Sequence, residues 1–325
     1  MTELQRFLAV LSEIAPHLPA GHGLLRIEAA RRASLGEDLD AVSAATGVAP
    51  DLIRRTTRAL ATGELNAITG KIPGGPDEVA FQRFRVAQLL LGALTEERFE
   101  REKQELTAGR LGVEDHRVGR TDTDYRVLNG GGNPIFRINI KFHGSVFQQA
   151  RTHVGLDPDD CFALATYKIH QALVRQRDES LPYVFLVLSA LGVTARSVSD
   201  LISEEYAWLV YVSKKFRKRD IEEAVVARLL TGAFAEVLAE IRRKIAASEF
   251  RVISASRAER LMKEKLFERV FALRQRAFTS AFRNAEIDMH FSLTREMVPV
   301  RDFLATVASE SPQRLAVLLY QGEVV

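Results

Sequence analysis

Asp124, Asn139, Lys141 and His143 are the residues whose types and spacing could do chemistry together. Residues 125–128 are β-prone, 129–134 are a dense turn signal, and 135–142 alternate apolar with polar, which predicts a β-hairpin. Side chains repeat every two residues along a strand. Arg137, Asn139, Lys141 and His143 therefore share one face, and Phe136, Ile138, Ile140 and Phe142 share the other. Asp124 heads the first strand of the hairpin. A carboxylate there can hold a hard cation, and a lysine on the next strand can orient or activate a water and offset charge on a phosphate. Asp122 is the rival acid, since a register slip of two would hand it the role. His143 lies within reach of a phosphate or water, or else serves the core.

These residues need elements to position them. Residues 77–108 read as a helix with Phe81, Phe84, Leu89, Leu90 and Leu94 on its apolar side. A short strand at 113–118 leads to the hairpin, and a helix is predicted at 144–154. Asp157-Pro158 would cap another helix reaching Arg177, and residues 182–188 are apolar on both alternations, as in a strand buried on both faces.

This order of helix, three strands, helix and strand, together with Asp124 and Asn139-Ile140-Lys141, resembles the PD-(D/E)XK nuclease superfamily over roughly residues 89–188. Asp124 matches the family's first acid and Lys141 its lysine. Asn139 stands where the family usually has Asp or Glu. The resemblance implies an α+β or α/β fold with a restriction-endonuclease-like mixed sheet, Mg²⁺ (or Mn²⁺) as cofactor, and DNA as substrate. It also implies a carboxylate supplied by a neighbouring helix. Glu97 is the candidate metal ligand with Asp124 and Asn139, beside Glu96 and Glu100, and Asp160 is another. Asn139 is then a weak ligand, a residue that positions one, or the scar of lost catalysis. Gln148, Gln149 and Arg151 could approach from the next helix. His17, His22, His116, His153, His170 and His290 show no metal-ligand spacing.

The flanks are mainly helical, giving expected domains at 1–76, 77–200 and 201–325. Residues 39–60 have the rhythm of a helix-turn-helix, with Gly47 at the turn, Val48 plugging it, Pro50 opening a second helix, and Arg54, Arg55 and Arg58 available to DNA. The breaker-rich 70–76 stretch reads as a linker. Residues 214–219 pack five basic residues around one phenylalanine. On an expected helix over 256–282, Arg269, Arg276 and Arg283 would form a stripe able to follow a phosphate backbone. Strands are expected at 250–254 and 315–320.

Composition bounds these readings. The 325 residues are 46% hydrophobic and 27% charged, in the range of a folded globular protein. A net charge of +3 and a pI near 9.0 permit a polyanionic partner without requiring one. The single cysteine, Cys161, excludes an intramolecular disulfide and a cysteine-cluster zinc site, and fits a reducing cytoplasm. The first residues carry no secretory pattern, and the apolar block at 182–193 is too short to span a bilayer. The leading expectation is a cytoplasmic, Mg²⁺-dependent endonuclease of restriction or anti-phage defence, acting as a homodimer, with a defence-system subunit as a further partner. The alternatives are a DNA-binding regulatory or structural subunit with a degenerate core, and a helical protein-interaction module.

Overall fold

The computed structural model describes residues 3–18, 20, 23–64, 76–107, 109, 111–117, 124–203, 206–207, 218–231, 234–272 and 287–323. In chain order the described elements begin with α1 (Glu3–Ile14), α2 (Leu25–Ser34), α3 (Leu39–Thr46), α4 (Pro50–Ala61) and α5 (Pro76–Leu106). Then come β1 (Gly112–Asp115), β2 (Tyr125–Leu128), β3 (Pro134–His143), α6 (Ala150–Val154), β4 (Cys161–Ala165), α7 (Thr166–Glu179) and β5 (Tyr183–Ser189). The remainder is α8 (Ala195–Ser199), α9 (Lys218–Thr231), α10 (Ala235–Ala246), β6 (Phe250–Ser254), α11 (Ala255–Glu264), α12 (Leu266–Arg269), β7 (Val270–Ala272), β8 (Ile287–Ser292), β9 (Val298–Pro299), α13 (Val300–Ser309) and α14 (Pro312–Gln321).

The chain forms two compact units, Met1–Ala93 with Thr194–Ile241, and Leu94–Val193 with Arg242–Val325. It leaves the first unit within α5 and re-enters the second within α10, so the units differ from the three consecutive segments at 1–76, 77–200 and 201–325. In the first unit α2 packs on α3 and α4. Asp38 caps α3 by accepting from the Ala41 N–H at 2.9 Å, and Gly47 ends it at φ +65°, a conformation that favours glycine. The Ser43 hydroxyl donates to the Val48 carbonyl at 2.9 Å, Val42, Val48 and Ile53 are buried, and Pro50 opens α4.

The second unit holds a mixed six-stranded sheet in the order β1-β2-β3-β5-β6-β9, in which β3 and β5 run parallel and the other pairs antiparallel. The protein is therefore a mixed α and β fold. The hairpin between β2 and β3 follows from its turn: the Asn129 side-chain oxygen accepts from the Gly131 and Asn133 N–H groups at 2.9 and 3.0 Å. Tyr125 then pairs with Ile138, Arg126 with Arg137 and Val127 with Phe136. One sheet face is apolar. Tyr125 meets Phe99 of α5 at 4.7 Å between ring centroids, and Phe136 meets Phe303 of α13 at 5.4 Å. A gap in this layer, lined by Phe99, Val127, Ile138, Leu186, Val252 and Phe303, is almost wholly apolar, and the hydroxyl of Thr107 at its edge is spent on the Lys103 carbonyl. A second, three-stranded sheet has the order β4-β8-β7.

Several expectations are corrected. Only residues 150–154 of the expected 144–154 helix are helical. Asp157-Pro158 starts a single 3₁₀ turn that feeds β4, so the following helix begins at Thr166. Pairing of β4 with β8 competes with helix formation there. Residues 315–320 are helix α14, because Ser311 caps it, Pro312 opens it, and Leu315, Leu318 and Leu319 recur at helical spacing. The expected long helix over 256–282 stops at Arg269, where the chain pairs with β8 as strand β7. Asp122, Arg276, Arg283, the 70–75 stretch and residues 214–217 lie outside the described residues. No described helix is long and apolar enough to cross a membrane.

Candidate active site

Asp124 sits where the β2 ladder ends. Its Oδ2 accepts from the Ile140 N–H at 2.5 Å, and its carbonyl accepts from the His116 N–H at 3.0 Å. A side-chain oxygen thus takes over the strand-edge hydrogen bond that a next β2 residue would have supplied. This fixes the carboxylate beside Asn139-Ile140-Lys141. Lys141 is half-buried, and its Nζ donates to the Ile140 carbonyl at 3.3 Å. Burial pulls its pKa down to about 8; the negative charges of Asp124 and Glu96 oppose that shift, and the positive charge of Lys168 on α7 adds to it.

Glu96 on α5 joins this group. Burial pushes its carboxyl up, and the neighbouring charge of Asp124 pushes it further, against the Arg117 guanidinium that donates to it at 3.1 Å. Arg117 also reaches Asp115 at 2.5 Å and Glu100 at 3.3 Å, and lies 5.1 Å from the centre of the Tyr125 ring. It ties α5 to the end of β1 beside Asp124. Glu97 lies elsewhere: it pairs with Arg242 at 3.3 Å. Successive helix residues are rotated by about 100°, so two adjacent glutamates cannot serve the same point. Glu100 pairs with Lys103 at 2.5 Å. Asp160 accepts from the Ser292 hydroxyl and the Thr294 N–H, holding the loop after β8.

Asn139 is partly exposed on the strand face of Lys141, and its amide makes no hydrogen bond within the described residues. His143, two residues past Lys141, is 9% exposed; its ring packs edge-on to Phe162 at 5.4 Å, and Nε2 has no hydrogen-bond partner among the described residues. Burial depresses its pKa to about 4, so it is neutral at pH 7. Because the folded pKa lies below the usual value of 6.5, the unfolded chain binds the proton first as pH falls. The resulting stability is complete above pH 6.5 and is lost on descending through pH 4, by up to about 3 kcal/mol. His143→Phe should flatten this part of the stability profile, measured as urea unfolding between pH 4 and 7. An unchanged profile would place the acid sensitivity elsewhere.

Among the described residues no three His, Cys, Asp or Glu side chains come together at metal-ligand spacing. The donor chemistry near Asp124 nevertheless suits a hard cation: two carboxylates that repel one another, with the amide oxygen of Asn139 on the adjacent strand. Repulsion between Asp124 and Glu96 is the unfavourable term that a divalent ion would relieve.

The arginines expected to meet DNA fall in different places. Arg54, Arg55 and Arg58 are exposed on α4, with Arg54 paired to Asp51 at 2.6 Å. Arg269 ends α12 and lies 3.7 Å from Glu296. Gln148 and Gln149 are exposed, and Arg151 pairs with Asp157. Lys168 and Arg117 escaped the sequence reading. The Asp157-Pro158 cap signal points to a helix from Pro158, which conceals that Lys168 lies in the first turn of a helix starting at Thr166, and nothing in the local pattern around Arg117 marks it. No protein-family description, curated protein or solved structure matched this chain.

Proposed function

We propose that the chain is a metal-dependent endonuclease that hydrolyses phosphodiester bonds in DNA at the site formed by Asp124, Glu96 and Lys141. The observation carrying this reading is the electrostatic coupling of a strand-edge carboxylate, a helix carboxylate and a half-buried lysine held by three different parts of the chain. Support also comes from the succession of α5, β1, β2 and β3 followed, after the intervening α6 and β4, by α7 and β5, which retains the helix, three strands, helix and strand that the PD-(D/E)XK resemblance implies. Asp124 and Glu96 would hold Mg²⁺, with the Asn139 oxygen as a neutral donor, and the ion would supply charge neutralisation at the phosphoryl group and a more acidic water.

Lys141 does the rest of the work that this chain can do. As an ammonium it offsets charge on a phosphate oxygen; with a pKa near 8 it can also pass through the amine form and take a proton from the attacking water. The water oxygen bonds to phosphorus, the bond to the 3′ oxygen breaks, and the proton ends on that leaving oxygen, which leaves a 5′ phosphate. Restriction or another anti-phage role is the setting that fits such chemistry, and a homodimer would cut both strands.

Asn139 favours a second reading, a DNA-binding subunit whose core has lost cleavage with its strand acid. The two part in a plasmid-nicking assay titrated with Mg²⁺ or Mn²⁺. An active wild type, a loss of about a hundredfold or more in Glu96→Gln and a loss of about tenfold in Asn139→Ala are expected. An inert wild type with metal affinity restored in Asn139→Asp would favour the second reading.

A further inference from the structure

The first unit carries a surface that the hydrolytic reading does not use. Helices α3 and α4 are joined by the three-residue turn Gly47-Val48-Ala49, held by the left-handed Gly47, the Ser43 to Val48 hydrogen bond and the buried Val48 side chain. A turn of this length containing glycine is the one that sets two helices for DNA reading, the second of them entering the major groove N-terminus first. The inward side of α4, with Ile53 and Thr56, is buried. The outward side presents Leu52, Arg54, Arg55 and Arg58, all exposed.

Those arginines are not equivalent. Arg54 is engaged by Asp51 at 2.6 Å, whereas neither Arg55 nor Arg58 has a carboxylate partner among the described residues. They lie three apart in sequence, one turn of helix, so both guanidiniums project from the same side. A planar fork of donors matches the O6 and N7 acceptors of guanine, which a lysine cannot engage in the same two-point way. Leu52, 38% exposed one turn before Arg55, offers an apolar contact of the kind a thymine methyl accepts.

We infer that α4 is a sequence-reading helix for duplex DNA, with Arg55 and Arg58 recognising guanine edges in the major groove. The occupant is a nucleic acid because the exposed side of α4 combines three guanidiniums with a single acid, Asp51, and that acid is already paired. Duplex DNA is favoured over RNA because an A-form major groove is too narrow and deep to admit a helix. The inference stands apart from the hydrolytic reading, since recognition needs no metal.

The test uses the full chain in EDTA, so that no cleavage can contribute. A pool of duplexes with randomised centres is enriched on the protein, and binding to the enriched and scrambled duplexes is measured by fluorescence anisotropy at several salt concentrations. An enriched, guanine-containing site is expected. Arg55→Lys with Arg58→Lys should bring affinity for it down by about tenfold to a hundredfold, close to that for scrambled DNA, with an unchanged salt slope. Arg55→Gln with Arg58→Gln should lower affinity further and flatten the slope, while Arg54→Gln should change specificity little. All three positions are exposed, and circular dichroism checks that the variants remain folded. Failure to enrich any site, enrichment indifferent to the lysine pair, or tighter binding to an RNA duplex would overturn the inference, whether or not the protein cleaves DNA in Mg²⁺.

Discussion

Asp124→Asn is expected to yield a folded protein whose Mg²⁺-dependent cleavage of DNA is lower by about a thousandfold or more. The choice of asparagine follows from the position of Asp124 at the end of the β2 ladder. Its Oδ2 receives the Ile140 N–H, so Asp124→Ala would leave that strand-edge donor unpaired, at about 1–3 kcal/mol, and would loosen the strand that carries Lys141. Lost activity in the alanine variant would then mix chemistry with structure. Asparagine keeps an acceptor oxygen and removes only the charge a cation needs. Lys141→Met is the matching change on β3: it retains the side-chain stem and removes the ammonium, with a similar loss of rate. Nicking rates, far-UV circular dichroism and urea midpoints on the three proteins decide the matter. Substantial Mg²⁺-dependent cleavage by folded Asp124→Asn would remove Asp124 from the chemistry.

The same residues show what the sequence could and could not disclose. The hairpin was legible because its determinants are local: Asn129 and the glycines close the turn, and strict alternation assigns Asn139 and Lys141 to one face. The β5 strand was legible from its nearly continuous apolar run. The choice between Glu96 and Glu97 was not. Both are charged residues on a helix, and only the rotation of α5 about its axis, set by packing of Phe99 on Tyr125, decides which one faces Asp124. The second sheet was hidden for a related reason. Its strands β4 and β7 are short and gain their hydrogen bonds from β8, which for β4 lies far away in sequence, so local helical periodicity outweighed a pairing that only tertiary structure supplies. His143 was assigned to the right strand face, but alternation says nothing of depth, and Phe162 covers its ring.

The largest effect on stability should come from a residue that never touches the candidate chemistry. Arg137 shares the strand face of Lys141 but is 1% exposed, and its guanidinium pairs with the Glu179 carboxylate at the end of α7. Arg126 lies 3.9 Å from the same oxygen. Burying a guanidinium is tolerable only while an anion answers it. Glu179→Ala would remove the carboxylate that answers Arg137, and is expected to cost about 3 kcal/mol, toward the low end for a broken buried pair because Glu179 is partly exposed. Replacing both partners with apolar side chains, Arg137→Met with Glu179→Leu, should recover most of that loss, since the desolvation cost vanishes with the charge. Urea unfolding of the wild type, the single variant and the double variant tests the sign directly. A single variant less than about 1 kcal/mol below wild type, or a double variant no better than the single, would mean that the pair is not the anchor of β3. At low temperature, where the single variant stays folded, its cleavage rate should remain near that of wild type, because the pair sits about four residues, or some 13 Å, along β3 from Lys141.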